Sequence, residues 1–152
     1  MKPLSAALPI KRGGVMKQQD FTRWESSYSV GNWVLDNQHK VILSLCKDAI
    51  ESVPYGSQGA AAHFHVIRNE LIHCVEDHCG TEETLLRHCR YPLLEIHREE
   101  HSEFQIRLTK FLAAAESGKI KQADLDHFLS QWWFEHILSS DKKFAGSIHR
   151  VR

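Results

Sequence analysis

Five histidines and two carboxylates in this 152-residue chain stand at spacings that could hold metal: His39, His78 with Glu82, His97 with His101, and His136 with Asp141. Imidazole suits iron, zinc and copper, and a carboxylate can span two neighbouring cations. Two of the pairs are spaced i, i+4, which stacks their side chains on one helix face about 6 Å apart. The third is spaced by five. On a regular helix that step turns about 140° away, so Asp141 can join His136 only where the helix widens or ends between them. A single zinc takes about four ligands, so seven candidate donors point to a two-metal site, with a pair of irons as the reading that fits best.

Those donors need a scaffold that brings them to one depth. In an antiparallel helical bundle, residues at equal height lie equidistant from the turn joining their helices. The midpoint between His39 and the His78/Glu82 pair falls beside Pro54-Tyr55-Gly56-Ser57-Gln58-Gly59. The next midpoint falls at His88-Cys89-Arg90-Tyr91-Pro92 and the third at Ser117-Gly118-Lys119. All three coincide with helix breakers. His73 with Asp77 is also an i, i+4 pair, but it would move the second midpoint into Leu85-Leu86-Arg87, so His78 and Glu82 are preferred.

The expected architecture is therefore all-α, an up-down-up-down four-helix bundle with an extended N-terminal arm. Residues 1–19, with Pro3, Pro9, Gly13 and Gly14, are expected to form a mobile leader, and Met16 could be the start of a shorter protein. One domain spans 20–152. Its arm, 20–35, carries Trp24, Tyr28, Val30, Trp33, Val34 and Leu35 across the bundle surface, where aromatic rings can bury their faces and keep polar contacts. Helices are expected over about 36–53, with Asp36 as N-cap, and over about 60–88, 92–117 and 122–140, each with an apolar stripe at helical spacing.

Composition narrows the functional classes. Lysine plus arginine and aspartate plus glutamate number 19 each, so no global charge favours nucleic acid or an anionic membrane. No apolar run approaches the roughly 20 residues of a membrane helix, and Leu4 to Ile10 is too short and proline-broken for a secretory core. Cys46, Cys74, Cys79 and Cys89 contain no CxxC pair, so reduced thiols and a cytoplasmic location are expected. His63, His65, His73, His88, His127 and His149 receive no role, and Arg87, Arg90, Arg98 and Arg107 read as a solvated face.

Several motifs together carry a family resemblance. Trp24, Tyr28-Ser29-Val30-Gly31, Asp36-Asn37-Gln38-His39-Lys40, His78-x-x-x-Glu82-Glu83, Tyr91-Pro92 before His97-x-x-x-His101, and Trp132-x-x-x-His136-Ile137 before Asp141-Lys142-Lys143 resemble hemerythrin in its bacterial single-domain form, over about Phe21 to Phe144. The resemblance implies one iron held by His97, His101 and His136, another by His39 and His78, and Glu82 and Asp141 bridging both together with an oxide or hydroxide. It also implies that Leu35, Leu43, Cys79, Trp132 and Ile137 wall an oxygen pocket, although ordinary periodicity makes such residues core first. Cys79 stands where hemerythrins usually carry phenylalanine, which would leave the pocket roomier.

Function follows from the ligand count. Three histidines and three bridges complete six-coordination at one iron, whereas two histidines and three bridges leave the other with a free position for a small ligand. Two ferrous ions, two carboxylates and a hydroxide leave a charge of about +1 that neutral dioxygen does not alter, so an apolar surrounding penalises neither binding nor release. Ferritin-like oxidases use Glu-x-x-His motifs, which this pattern lacks. The expected function is reversible dioxygen binding for storage, transport or sensing, without enzyme activity. Its partner is dioxygen, with an unidentified protein partner or oxygen-consuming enzyme beyond it. The alternatives are a di-iron peroxidase or a nitric oxide or peroxide detoxification enzyme, and an iron-storage or regulatory module.

Overall fold

The computed structural model describes residues 20–54 and 58–148, so the expected leader and His149 lie outside the described residues. Helix α1 runs Trp33–Glu51, α2 Gln58–His88, α3 Leu94–Glu116 and α4 Gln122–Trp132. A π-helical stretch, Trp133–Asp141, continues α4 without a break and leads into α5, Lys142–Ile148. Consecutive helices pack against each other, and α4 closes the bundle onto α1 and α3. The described residues contain no strand, and none of their helices is long and apolar enough to cross a membrane.

Local chemistry moves several boundaries from their expected places. The side chain of Asn32, in extended backbone, accepts from the amides of Val34 and Leu35, so the first helix starts at Trp33 and not after Asp36. Asp36 then lies one turn inside the helix, where its carboxylate accepts from the Ser29 hydroxyl at 2.6 Å and the Val30 amide at 2.9 Å. Asp36 is thus the anchor of the arm and not a cap. The early start also lifts Trp33 and Val34 out of the arm onto exposed positions, Trp33 being 76% exposed. The arm is not wholly extended either, because Ser26–Tyr28 forms a 3-10 turn. Its buried residues are Phe21, Tyr28 and Val30, and Lys142 ties it down by donating to the Ser27 carbonyl.

The second helix starts at Gln58, two residues before the expected position, and the first stops at Glu51. At the other end of α2, the Tyr91 amide reaches the Leu86 carbonyl at 2.9 Å and the Arg90 amide reaches Arg87 at 3.1 Å, which is the Schellman pattern. The turn through Pro92 ends in the Leu94 amide donating to Tyr91, so the third helix begins at Leu94 and not at Pro92. The third helix closes with the same pattern, Lys119 amide to Ala114 and Gly118 amide to Ala115. The fourth helical run continues to Ile148, well past the expected end at 140.

Apolar side chains form two separate clusters. The larger contains Leu43, Cys46, Phe64, Leu71, Val75, Cys79, Phe104, Leu108, Leu129, Trp133 and Ile137 among its buried members. The smaller contains Val30, Leu35, Leu86 and Phe144, with Tyr91 and Leu94 packed against it. On each helix the candidate metal-binding residues stand between members of the two clusters. A polar layer therefore separates them.

The two Schellman turns place different residues in the left-handed region, Arg90 at φ 53° and Gly118 at φ 76°. A β-carbon at Gly118 would meet nothing within 4 Å, so only backbone conformation is at stake there. Gly118→Ala should lower stability by about 1 kcal/mol, and Arg90→Gly should raise it by up to about 1 kcal/mol. Urea unfolding at one fixed metal loading measures both, and a loss in Arg90→Gly would show that the arginine side chain outweighs the backbone cost.

Candidate metal centre

Burial alone sorts the histidines. His39, His78, His97, His101 and His136 are buried, whereas His63, His65, His73, His88 and His127 are exposed. Glu82 and Asp141 are fully buried among the five. His73 pairs only with Glu76, and its side chain is 78% exposed.

All five buried imidazoles turn Nε2 inward. His39 Nε2 lies 3.0 Å from His78 Nε2, and His101 Nε2 lies 3.1 Å from His136 Nε2. His97 Nε2 is 2.7 Å from Glu82 Oε1 and 3.2 Å from Asp141 Oδ1. The other Asp141 oxygen, Oδ2, is 3.3 Å from His39 Nε2, while Glu82 Oε2 is 2.9 Å from His78 Nε2. Two groups of donors, each within 4.8 Å, emerge: Glu82, His97, His101, His136 and Asp141, and His39, His78, Glu82 and Asp141. The two carboxylates belong to both.

Asp141 reaches this layer through the π-helical stretch. That form repeats through i→i+5, so a five-residue step returns to the same side and aligns Asp141 with His136, their Nε2 and Oδ1 atoms 3.1 Å apart.

The outer nitrogens decide which protons are where. His78 Nδ1 lies 2.8 Å from Gln38 Oε1, His101 Nδ1 2.8 Å from Glu83 Oε1, and His136 Nδ1 2.9 Å from Glu100 Oε2. Each partner is an acceptor, so each Nδ1 carries the proton and each Nε2 is left with a lone pair facing inward. The Nε2 atoms of His101 and His136 meet at 3.1 Å, so without a cation only one proton can lie between them and it competes with metal for both nitrogens. The carboxylates tell the same story. Glu82 Oε2 and both Asp141 oxygens lie near imidazole nitrogens but out of hydrogen-bond alignment, and His39 Nδ1 is buried without a partner. A buried polar atom left so costs about 1–3 kcal/mol.

A divalent cation fits this donor set. Adjacent donors about 2.1 Å from an octahedral ion lie about 3.0 Å apart, in the range of the inward N···N and N···O distances. Imidazole with carboxylate and no thiolate is a donor set for iron, zinc or copper. The cysteines are free, and burial pushes Cys46 up to about 12 and Cys79 higher still, so both are neutral thiols.

The matching family model describes the hemerythrin HHE cation binding domain and covers residues 30–148. The chain belongs to the hemerythrin family. A bacteriohemerythrin of Pseudomonas aeruginosa is 29% identical over 129 residues, spanning 85% of this chain and 80% of the relative. A myohemerythrin of Theromyzon tessulatum is 27% identical over 126 residues, spanning 83% and 92%. The crystal structure of wild-type hemerythrin matches with a TM-score of 0.72 at 21% identity, over 83% of this chain and 96% of that one, a likeness of fold.

Around the metal layer of this hemerythrin, aromatic rings hold the imidazoles. Trp132 stacks on His136 at 5.9 Å, Trp133 meets His39 edge-on at 5.5 Å, and Phe144 meets His97 edge-on at 5.4 Å. Sequence reasoning gave Trp133 and Phe144 no part in the site, and it missed Gln38, Glu83 and Glu100 as outer partners. Gln38 and Glu83 each adjoin a ligand position, a signal that was present. Glu100 lies between His97 and His101 but serves His136 on another helix, which no spacing within one helix can reveal. Of the expected pocket walls, Leu43, Cys79, Trp132 and Ile137 belong to the larger cluster and Leu35 to the smaller, on the far side of the layer.

Proton affinities in the metal-free site compete with metal. Burial works against a charge on His97, but the Asp141 and Glu82 carboxylates override it and raise its pKa to about 10. His136 is raised in the same way, burial again opposed by Asp141 and Glu82. Asp141 stays well below the carboxylate range despite its burial, because His136 and the other imidazoles face it. For a group raised in the folded state, the stability is complete below the unfolded value near 6.5 and is lost as pH climbs toward the folded one. The metal-free protein should therefore lose stability between about pH 6.5 and 10, and the increase in unfolding midpoint on metal loading should grow from about pH 6 to about pH 8. A constant increment over that range would mean that metal displaces no proton.

The register generates a second test. His78→Ala should abolish metal at its position, a loss of at least about tenfold in affinity, whereas His73→Ala should retain it. Metal analysis after gel filtration compares the two, and equal losses would contradict the arrangement.

Proposed function

We propose that this hemerythrin binds dioxygen reversibly at a pair of irons, with His97, His101 and His136 on one, His39 and His78 on the other, and Glu82 and Asp141 shared. The observation that carries this reading is the division of the inward donors into one group of five and one of four around two common carboxylates. A ferrous pair supplies two electrons that dioxygen can take and return.

The protein's part is to hold geometry and keep water out. Shared carboxylates keep the two positions close, and the unequal histidine count leaves the His39/His78 position one donor short, so that a small ligand is directed there. Trp133 and Phe144 pack edge-on against His39 and His97, and Leu43, Cys79 and Ile137 are buried beside the layer. These contacts set apolar surface against the polar layer from both clusters. A dry surrounding limits the proton supply that would convert a reversible carrier into an oxidase. Trp132 lies nearly parallel to His136, ring centroids 5.9 Å apart, and limits the orientations open to that imidazole.

Carrier and enzyme differ in what repeated exposure does. Anaerobically reduced protein should take up dioxygen and release it on deoxygenation over several cycles, with visible absorption and resonance Raman bands returning each time. Hydrogen peroxide turnover with an electron donor should not exceed that of free iron. Sustained turnover that disappears in His39→Ala would place the protein among enzymes.

A further inference from the structure

The imidazoles at the two metal positions differ in what receives their outer protons. On the three-histidine side, His101 donates to Glu83 at 2.8 Å and His136 donates to Glu100 at 2.9 Å. Both acceptors are carboxylates. On the two-histidine side, His78 donates to the neutral amide oxygen of Gln38, and His39 Nδ1 is buried with no partner at all. The amide orientation of Gln38 is fixed by its other end, which donates to Thr81 Oγ1 at 3.1 Å while that hydroxyl donates to the Asp77 carbonyl. With its proton given to Asp77, the Thr81 hydroxyl has none to donate to a flipped Gln38 oxygen.

A negative charge on the far side of an imidazole pulls its N–H outward and strengthens the lone pair on the opposite nitrogen. Stronger donors favour the higher charge on the metal that they hold. We propose that Glu83 and Glu100 are positioning residues that make the two metal positions electronically unequal, the three-histidine iron holding its ferric state more firmly and the two-histidine iron, served by Gln38, being the more easily reduced. This rests on the di-iron reading above. Its consequence is a polarity across the pair: one added electron settles on the iron with the free position, where a small ligand would meet it, and the second electron enters the three-histidine side at lower potential.

The two carboxylates are not equivalent. Glu83 also meets Arg98, whose Nε lies 3.5 Å from Oε2 and draws off part of its charge. Glu100 pairs with no lysine or arginine among the described residues and stands with its side chain 40% exposed at the edge of a groove between α3 and α4. Glu100 should therefore have the larger effect. Glu103 lines the same groove without meeting an imidazole, and it serves as a control for charge alone.

The test is a stepwise anaerobic reduction of the oxidised, iron-loaded protein with dithionite as electron donor, the half-reduced species being counted by electron paramagnetic resonance after metal analysis has established two irons per chain. The native protein should accumulate the one-electron-reduced form. Glu100→Gln should raise the second potential and cut the equilibrium constant favouring the half-reduced form by about tenfold. Gln38→Glu should also cut that constant, but by lowering the first potential, and Glu103→Gln should leave it unchanged. If Glu100→Gln does not fold, the opposite-signed shift in Gln38→Glu decides alone. Two irons with an unchanged separation in both variants, or a Glu103→Gln shift equal to that of Glu100→Gln, would overturn the inference while sparing the di-iron reading. A native chain without paired iron would overturn both.

Discussion

The rest of the structure depends on one arrangement: inward imidazole lone pairs and two shared carboxylates packed into a layer from which water is excluded. The described residues satisfy those atoms only in part: His97 meets Glu82 Oε1 at 2.7 Å, but other atoms of the layer have no such partner. Glu82 Oε2 and both oxygens of Asp141 are buried without an aligned donor, and His39 Nδ1 is buried without a partner among the described residues. At about 1–3 kcal/mol for each orphaned atom, the layer subtracts a sizeable part of a typical domain's 5–15 kcal/mol of stability. A cation in each donor group would convert that cost into metal–ligand bonds and make folding and metal binding parts of one equilibrium.

That cost shapes the scaffold. Two apolar clusters grip the layer from opposite sides, and the smaller one is completed by the N-terminal arm through Val30 and by α5 through Phe144. Asp36 and Lys142 pin the arm in place, one on α1 and the other next to Asp141. The π-helical stretch lies between these two clusters, with Trp133 and Ile137 in the larger and Phe144, just beyond it, in the smaller. A regular helix would carry the Asp141 carboxylate away from His136, and the wider turn restores it to the layer at the expense of ordinary helical hydrogen bonding.

Much of the site was legible in the sequence, for identifiable reasons. Spacing by four at His78/Glu82 and at His97/His101 reports helix geometry directly, and turns at Arg90 and Gly118 set the register that brings those pairs level. The interval of five at His136 and Asp141 requires a widened helix, and the π-helical stretch is one. What could not be read is tertiary. Asp36 has the residue type of a cap, yet Asn32 does that work and Asp36 holds the arm. Trp33 reads as an arm residue but is exposed on the first turn of α1, whereas Trp133, four residues beyond buried Leu129, packs against His39 on another helix, a contact that spacing within α4 cannot name. Glu100 meets His136 only because α3 and α4 lie side by side.

The central claim is that this layer holds two irons joined by shared ligands. Mössbauer spectroscopy of oxidised protein reconstituted with iron-57, together with iron content per chain, tests it most directly. Two ferric ions per chain in a coupled, diamagnetic ground state are predicted. One iron per chain, or two with the magnetic signature of isolated ferric ions, would contradict the account.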